Sequence, residues 1–235
     1  MTPPSKSQVK KVAHRLRSFY RDEVDREVYD EAIKVLKAYR ACFSRPTVIM
    51  NNNLRKHAKT AGVEASVTQR LKKVPTIVEK LVFREQNQSL QTMHDIGGCR
   101  VVVATLEDLQ RMRDVIEDKR RQQLMYVRDY VESPRTSGYR AVHLVLRHGS
   151  GYPVEVQLRT RSMHDWAETA ESFSNLMGLN LKQDGDHPIQ LWLAVVSDIY
   201  YHRDRGQKVP RQLRREYNRL MEAAKRSISD AGVVA

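Results

Sequence analysis

The chain has 235 residues, with 41 Lys or Arg against 28 Asp or Glu and a net charge of +13. Its two cysteines, Cys42 and Cys99, are too few for a disulfide framework or a cysteine-rich zinc cluster. No window reaches the ~18 consecutive apolar residues of a membrane span. The basic N-terminal stretch is not followed by the apolar run of a secretory signal, which predicts a cytoplasmic protein. Hydrophobic residues at 40 % and aromatics at 7 % allow one core beneath a very polar surface. A basic balance of this size points to a polyanionic partner, or to a solvated charge excess.

In chain order, residues 1–5 read as a short disordered start. Ser7 to Arg45 reads as helical, with Val24, Val28, Ala32, Val35, Leu36, Tyr39 and Cys42 at three- and four-residue steps. Pro46 is expected to end it. Asn51 to Asn53 reads as the cap of a short second helix that Gly62 closes. Ala65 to Leu71 reads as a strand, and Pro75 sits near the start of a helix running to about Phe83. Arg100 to Ala104 reads as a buried strand, and Thr105 with Asp108 as the cap of the next helix. Leu124 to Arg128 is a third strand, and residues 132–138 form a loop. Arg140–His148 and Tyr152–Leu158 alternate as a hairpin around Gly149–Gly151. Helices follow over 161–176, 188–202 and 210–229, with 178–187 as a polar loop. Both thiols are expected to be buried. The pattern predicts an α+β fold: a mixed sheet of about five strands flanked by helices. It divides into an N-terminal helical segment (1–62), a core (63–176) and C-terminal helices (177–235).

Four segments carry the chemistry: Arg70-Leu-Lys72, Asp95 to Arg100, Ser137 to His143, and Glu155 to Thr160. Asp95 and Glu155 stand among apolar neighbours, and a carboxylate there needs a partner. That partner is an arginine such as Arg100 or Arg159, or a Mg²⁺ ion, which takes one or two carboxylates plus substrate phosphates. Arg70 and Lys72 share one side of a strand end. Thr76 and Lys80 share a helix face. Together they form a cationic strip suited to a triphosphate and a helix N-terminus. Tyr139, after Gly138, is either a core tyrosine or a platform for a base. His143 lies on the same face as Tyr139, as a structural histidine or a contact to ribose or phosphate. No phosphate-binding Gly-x-x-x-x-Gly-Lys loop and no Gly-x-Ser-x-Gly elbow is present.

The order, spacing and residue types of these segments resemble the RelA/SpoT synthetase family over roughly residues 63–172. The resemblance implies transfer of the β,γ-pyrophosphate of ATP to a ribose 3′-hydroxyl. It implies Arg70 and Arg100 on the adenine, and Lys72, Thr76 and Lys80 on phosphates. Asp95 and Glu155 become magnesium ligands, with Glu155 also the base for the attacking hydroxyl. Tyr139 stacks on the acceptor base, and His143 and Gln157 lie near the acceptor. His14 and His57 lack the context of the hydrolase domain that long members carry, so a stand-alone small synthetase is expected. Asp95-Ile-Gly-Gly-Cys-Arg100 and the segments 168–171 and 181–185 resemble a toxic branch from toxin–antitoxin loci. The expected acceptor is then the 3′-terminal adenosine of tRNA, with an antitoxin protein as a further partner. Residues 1–60 hold 14 Lys or Arg against 6 Asp or Glu, and Lys10, Lys11, Arg15, Arg17, Arg214 and Arg215 are the expected tRNA contacts. The alternatives are a (p)ppGpp synthetase acting on GDP or GTP, an adenosine alarmone synthetase, and an inactive RNA-binding module.

Overall fold

A computed structural model describes residues 3–179, 181 and 185–230. The segment expected to be one long helix is two. Helix α1 spans Lys6–Phe19 and α2 spans Arg26–Ala41. Asp22 interrupts them with φ of 58°, and Asp25 caps α2 by accepting from the Val28 amide at 3.2 Å. At the start of α1, Ser5 and Gln8 form a capping box, so Ser5 is ordered rather than part of a loose end. Helix α3 runs unbroken over Ser44–Ala61. Pro46 therefore does not end a helix. It sits at the third helical position, where the backbone N–H has no intrahelical partner in any case. Asn51 to Asn53 lie inside α3 rather than capping a new helix, and Gly62 closes it at φ 63°.

Strand β1 (Ala65–Leu71) follows, then α4 (Val74–Glu79), which continues as a π-helical turn over Lys80–Arg84. Next come β2 (Gly97–Val103), α5 (Leu106–Lys119), β3 (Leu124–Asp129), β4 (Val142–Arg147) and β5 (Pro153–Thr160). Three helices close the chain: α6 (Arg161–Met177), α7 (Pro188–Asp204) and α8 (Arg211–Asp230). The five strands form one sheet in the order β1-β2-β5-β4-β3. Only the β2–β5 pair is parallel.

Side chains alternate across a strand, and that alternation places the site. Cys99, Val101 and Val103 of β2, Val142, Leu144 and Leu146 of β4, and Val154, Val156 and Leu158 of β5 turn to one face. There they pack with Met50 and Leu54 of α3 and Met112 and Ile116 of α5. Gly98, Arg100, His143, Glu155, Gln157 and Arg159 occupy the alternate positions and so share the other face. A second cluster joins α1, α2, α4 and Ile96. A third joins Tyr139, Trp166 and Leu193, bringing α6 and α7 onto the polar face. Cys99 is buried and its thiol is pushed up to about 12 by burial; Cys42 is only half-buried.

Candidate active site

Strand register arranges the polar face in rows. Arg70 of β1 pairs with Gly98 of β2, which pairs with Glu155 of β5. The next row holds Arg100, Gln157, His143 and Arg128. Gly98 leaves the first row open between the arginine and the carboxylate. Arg70 and Arg100 are diagonal neighbours on adjacent strands, about 7–8 Å apart by sheet geometry, which is room for one aromatic ring between two guanidinium planes. Arg70 is exposed. Arg100 donates to Glu168 Oε1 at 2.8 Å and lies 3.4 Å from His164 Nδ1.

Asp95 precedes β2 by two residues. Its Oδ2 accepts from Lys72 Nζ at 2.6 Å and Lys80 Nζ at 3.0 Å. Burial pushes the carboxyl up, but the two ammonium groups outweigh it and hold Asp95 below the usual range. Both lysines of the strip read from the sequence therefore converge on a carboxylate. Lys80 also pairs with Glu85 at 3.3 Å. Arg40 fixes the end of the strip, its Nε donating to the Lys72 carbonyl at 2.7 Å. Thr76 stands half-buried in α4.

Glu155, Gln157, His143, Tyr139 and Arg159 close a ring of hydrogen bonds with one self-consistent direction. Arg159 Nη2 donates to Tyr139 Oη at 3.0 Å and to Gln157 Oε1 at 2.9 Å. Gln157 Nε2 donates to Glu155 Oε2 at 2.8 Å. Tyr139 Oη, already accepting from arginine, donates to His143 Nε2 at 2.7 Å. That assigns the proton of His143 to Nδ1, which lies 2.9 Å from Glu155 Oε1. Both arms thus run from the Arg159 cation to the Glu155 carboxylate, and no donor faces a donor. Burial pushes Glu155 up, and Asp95 nearby does the same. The bonds from His143 and Gln157 outweigh both and hold the carboxylate below its usual range.

This corrects two expectations. Arg159 does not pair with Glu155 directly but reaches it through Gln157. Tyr139 presents no open face to a base: it is 7 % exposed and stands edge-on to Tyr130, His143 and Trp166 at 5.9, 5.7 and 6.3 Å. Burial raises its hydroxyl above the usual phenol range, so it remains a proton donor in the ring.

The turn before it is held by α7. Ser197 Oγ donates to the Gly138 carbonyl at 2.5 Å. A Cβ on Gly138 would meet Ala194 Cα at 2.7 Å, and its φ is +88°. Arg140 donates to Asp198 Oδ1 at 2.8 Å and to the Val131 carbonyl at 2.5 Å. Nothing local announces Ser197 and Asp198, which lie nearly 60 residues away from the turn they hold.

The expected tRNA contacts fare unevenly. Lys10, Lys11, Arg214 and Arg215 are exposed. Arg15 pairs with Glu31 at 3.3 Å. Arg17 is spent inside the fold, donating to the Leu81 and Gln88 carbonyls at 2.9 and 3.3 Å, which corrects its reading as a free nucleic-acid contact.

Asp95 lies near enough to Glu155 to raise its proton affinity, and two such carboxylates suit a hard divalent cation. Asp95 Oδ1 is buried and has no hydrogen-bond partner, an orphaned acceptor of the kind a cation satisfies. Asp95 and Glu155 are the residues that fit it.

Residues 69–174 match the family described as the region found in RelA / SpoT proteins. The chain is 31 % identical over 116 residues to a GTP pyrophosphokinase of Escherichia coli, covering 49 % of this chain and 15 % of that protein. It is 33 % identical over 137 residues to the GTP pyrophosphokinase YjbM of Bacillus subtilis, covering 55 % of this chain and 62 % of that one. The chain therefore spans a small part of the long relatives and under two thirds of the short one. Among solved structures it is similar to small alarmone synthetase 1 of Bacillus subtilis bound to its product pppGpp. There the TM-score is 0.58 at 26 % identity, over 70 % of this chain and 90 % of that one. The matched residues contain β2 to β5 and every residue of the Arg159–Glu155 ring.

Proposed function

We propose that the chain is an ATP-dependent pyrophosphokinase that acts on the ribose 3′-hydroxyl of GDP or GTP. The observation that carries the reading is the Glu155 carboxylate, deprotonated at neutral pH and oriented by His143 and Gln157 on the sheet face that also bears Arg70 and Arg100. The likeness to a small alarmone synthetase holding pppGpp supports guanine nucleotide as the acceptor. The basic ends, which suggested tRNA, lose weight because Arg17 and Arg15 are engaged within the protein.

In the proposed reaction, Arg70 and Arg100 bracket the adenine. Asp95 and Glu155 would hold a divalent cation, which supplies charge neutralisation on the β- and γ-phosphates. Lys72 and Lys80 add to that neutralisation as they are shared between Asp95 and phosphate oxygens. The acceptor 3′-oxygen attacks the β-phosphorus of ATP, the bond from that phosphorus to the α,β-bridging oxygen breaks, and AMP leaves. The hydroxyl proton passes to Glu155. Such transfers gain most from positioning and charge stabilisation, which is what a rigid ring and a pinned turn provide.

The test is an acceptor panel. The protein is incubated with ATP labelled on the γ-phosphate and, separately, GDP, GTP, AMP, ATP alone or deacylated tRNA. Label on guanine nucleotide is the expected result. Label on tRNA alone would overturn the acceptor assignment and restore the translation-blocking reading, with its antitoxin partner.

A further inference from the structure

Between α6, α7 and α8 lies a cavity of about 860 Å³, within the range of small-molecule sites, roughly 300–1,000 Å³. None of the sheet-face residues described above lines it. Its aromatic walls come from Trp166, Trp192, Tyr200 and Tyr217; the last two elements meet where Trp192 and Tyr217 pack 6.0 Å apart. Its cations are Arg203, Lys208 and Arg214, and among the described residues no acidic one lines it. All three cations are exposed, and none has an acidic partner among the described residues.

We infer that this cavity is a second ligand site, built for a nucleoside polyphosphate. The lining complements both halves of such a ligand. Aromatic faces that are sequence-tolerant stacking surfaces take a base. Three unpaired cations with no opposing carboxylate take phosphates, two of them as guanidinium forks. A purely apolar ligand would leave the cations idle, and a bare phosphate would leave the aromatic walls idle. Arg214, expected from the sequence to touch tRNA, belongs to this rim.

The site is mechanically close to the acceptor turn. Leu193, Val196 and Tyr200 of α7 face the cavity, while Ser197 and Asp198 of the same helix hold Gly138 and Arg140. Trp166, on the opposite wall, donates to the Leu193 carbonyl at 2.6 Å. An occupant therefore bears on the helix that positions the turn.

Trp166 and Trp192 are the two tryptophans of the chain and both line this cavity; Trp166 also packs 6.3 Å from Tyr139 of the sheet-face ring, so the signal is assigned by comparing variants. The probe is GTP, titrated into wild type, into Arg203→Glu/Lys208→Glu, and into Lys72→Ala, which impairs the sheet face instead. Inorganic triphosphate, guanosine and deacylated tRNA are parallel arms. Both substituted rim residues are exposed, so the double variant is expected to keep the wild-type Tm. The expected result is a saturable tryptophan signal that survives Lys72→Ala and whose apparent Kd weakens at least about tenfold in the rim variant, the loss of one charge-assisted contact or more. Loss of the signal in Lys72→Ala with retention in the rim variant would overturn the inference by assigning it to the sheet face. An equal response to inorganic triphosphate would overturn the base-recognition half. A response to tRNA and not to GTP would overturn the small-molecule assignment. None of these outcomes depends on whether the protein transfers pyrophosphate.

Discussion

Replacing Arg140 with methionine keeps an apolar stem of similar reach and removes the guanidinium that ties the turn after Gly138 to α7. Arg140 is 7 % exposed, and its cation also lies 4.1 Å from the Tyr201 ring centroid. Breaking a buried ion pair by deleting one partner costs about 3–5 kcal/mol. Asp198 is 49 % exposed and rehydrates, which discounts its share. The Val131 carbonyl, however, is left buried without a donor, at about 1–3 kcal/mol. The net expectation is a loss of about 3 kcal/mol in urea denaturation. In the proposed reaction the turn lies on the acceptor side, so KM for the guanine nucleotide is expected to rise more than KM for ATP. A loss below about 1 kcal/mol, small beside the buried-pair cost, would refute the clamp. So would equal rises in both KM values.

Three further outcomes follow from the same geometry. Glu155→Gln is expected to keep the fold and to remove the proposed proton acceptor, so transfer at pH 7.5 falls about 10²–10⁴-fold; unchanged turnover at saturating Mg²⁺ would remove Glu155 from the chemistry. His143→Ala takes away a bond that holds Glu155 below its usual range, so the Glu155 pKa rises and the acid limb of kcat/KM moves to higher pH; a limb that stays in place would contradict the ring. His57 is lowered by burial and by Arg120 and Lys119, and its Nε2 accepts from Arg120 Nε at 3.1 Å. The unfolded chain then binds the extra proton first, so this contribution to stability is complete above the ordinary value of 6.5 and is lost as pH falls from there toward the folded pKa. Urea midpoints measured across that window are expected to drop less in His57→Gln than in wild type, and parallel slopes would refute it.

The sheet was legible because its strands alternate. Val154, Val156 and Leu158 against Glu155, Gln157 and Arg159 give both the strand and the face on which the chemistry sits. The parallel β2–β5 pair brings Gly98 beside Glu155, and nothing local in either segment announces it. Helix boundaries were less legible. Pro46 looked like a stop and Asn51 like a cap, but proline is tolerated in a first turn, and Asn51 is buried in α3, accepting from Arg55 at 3.1 Å. That Glu155, Gln157 and Arg159 share one face could be read from their spacing along β5. Their wiring could not: Arg159 reaches Tyr139 twenty residues back, and Arg140 reaches Asp198 on a distant helix. Whether a lysine faces a phosphate or a carboxylate, as Lys72 and Lys80 face Asp95, is likewise decided by the fold.

The most direct measurement is the product balance of a reaction containing only ATP, GTP, Mg²⁺ and the protein, followed by phosphorus NMR and mass spectrometry. The account predicts AMP and a guanosine nucleotide carrying a new pyrophosphate on its 3′-oxygen, formed one for one. ADP with inorganic phosphate, or AMP with free pyrophosphate and unaltered GTP, would contradict it.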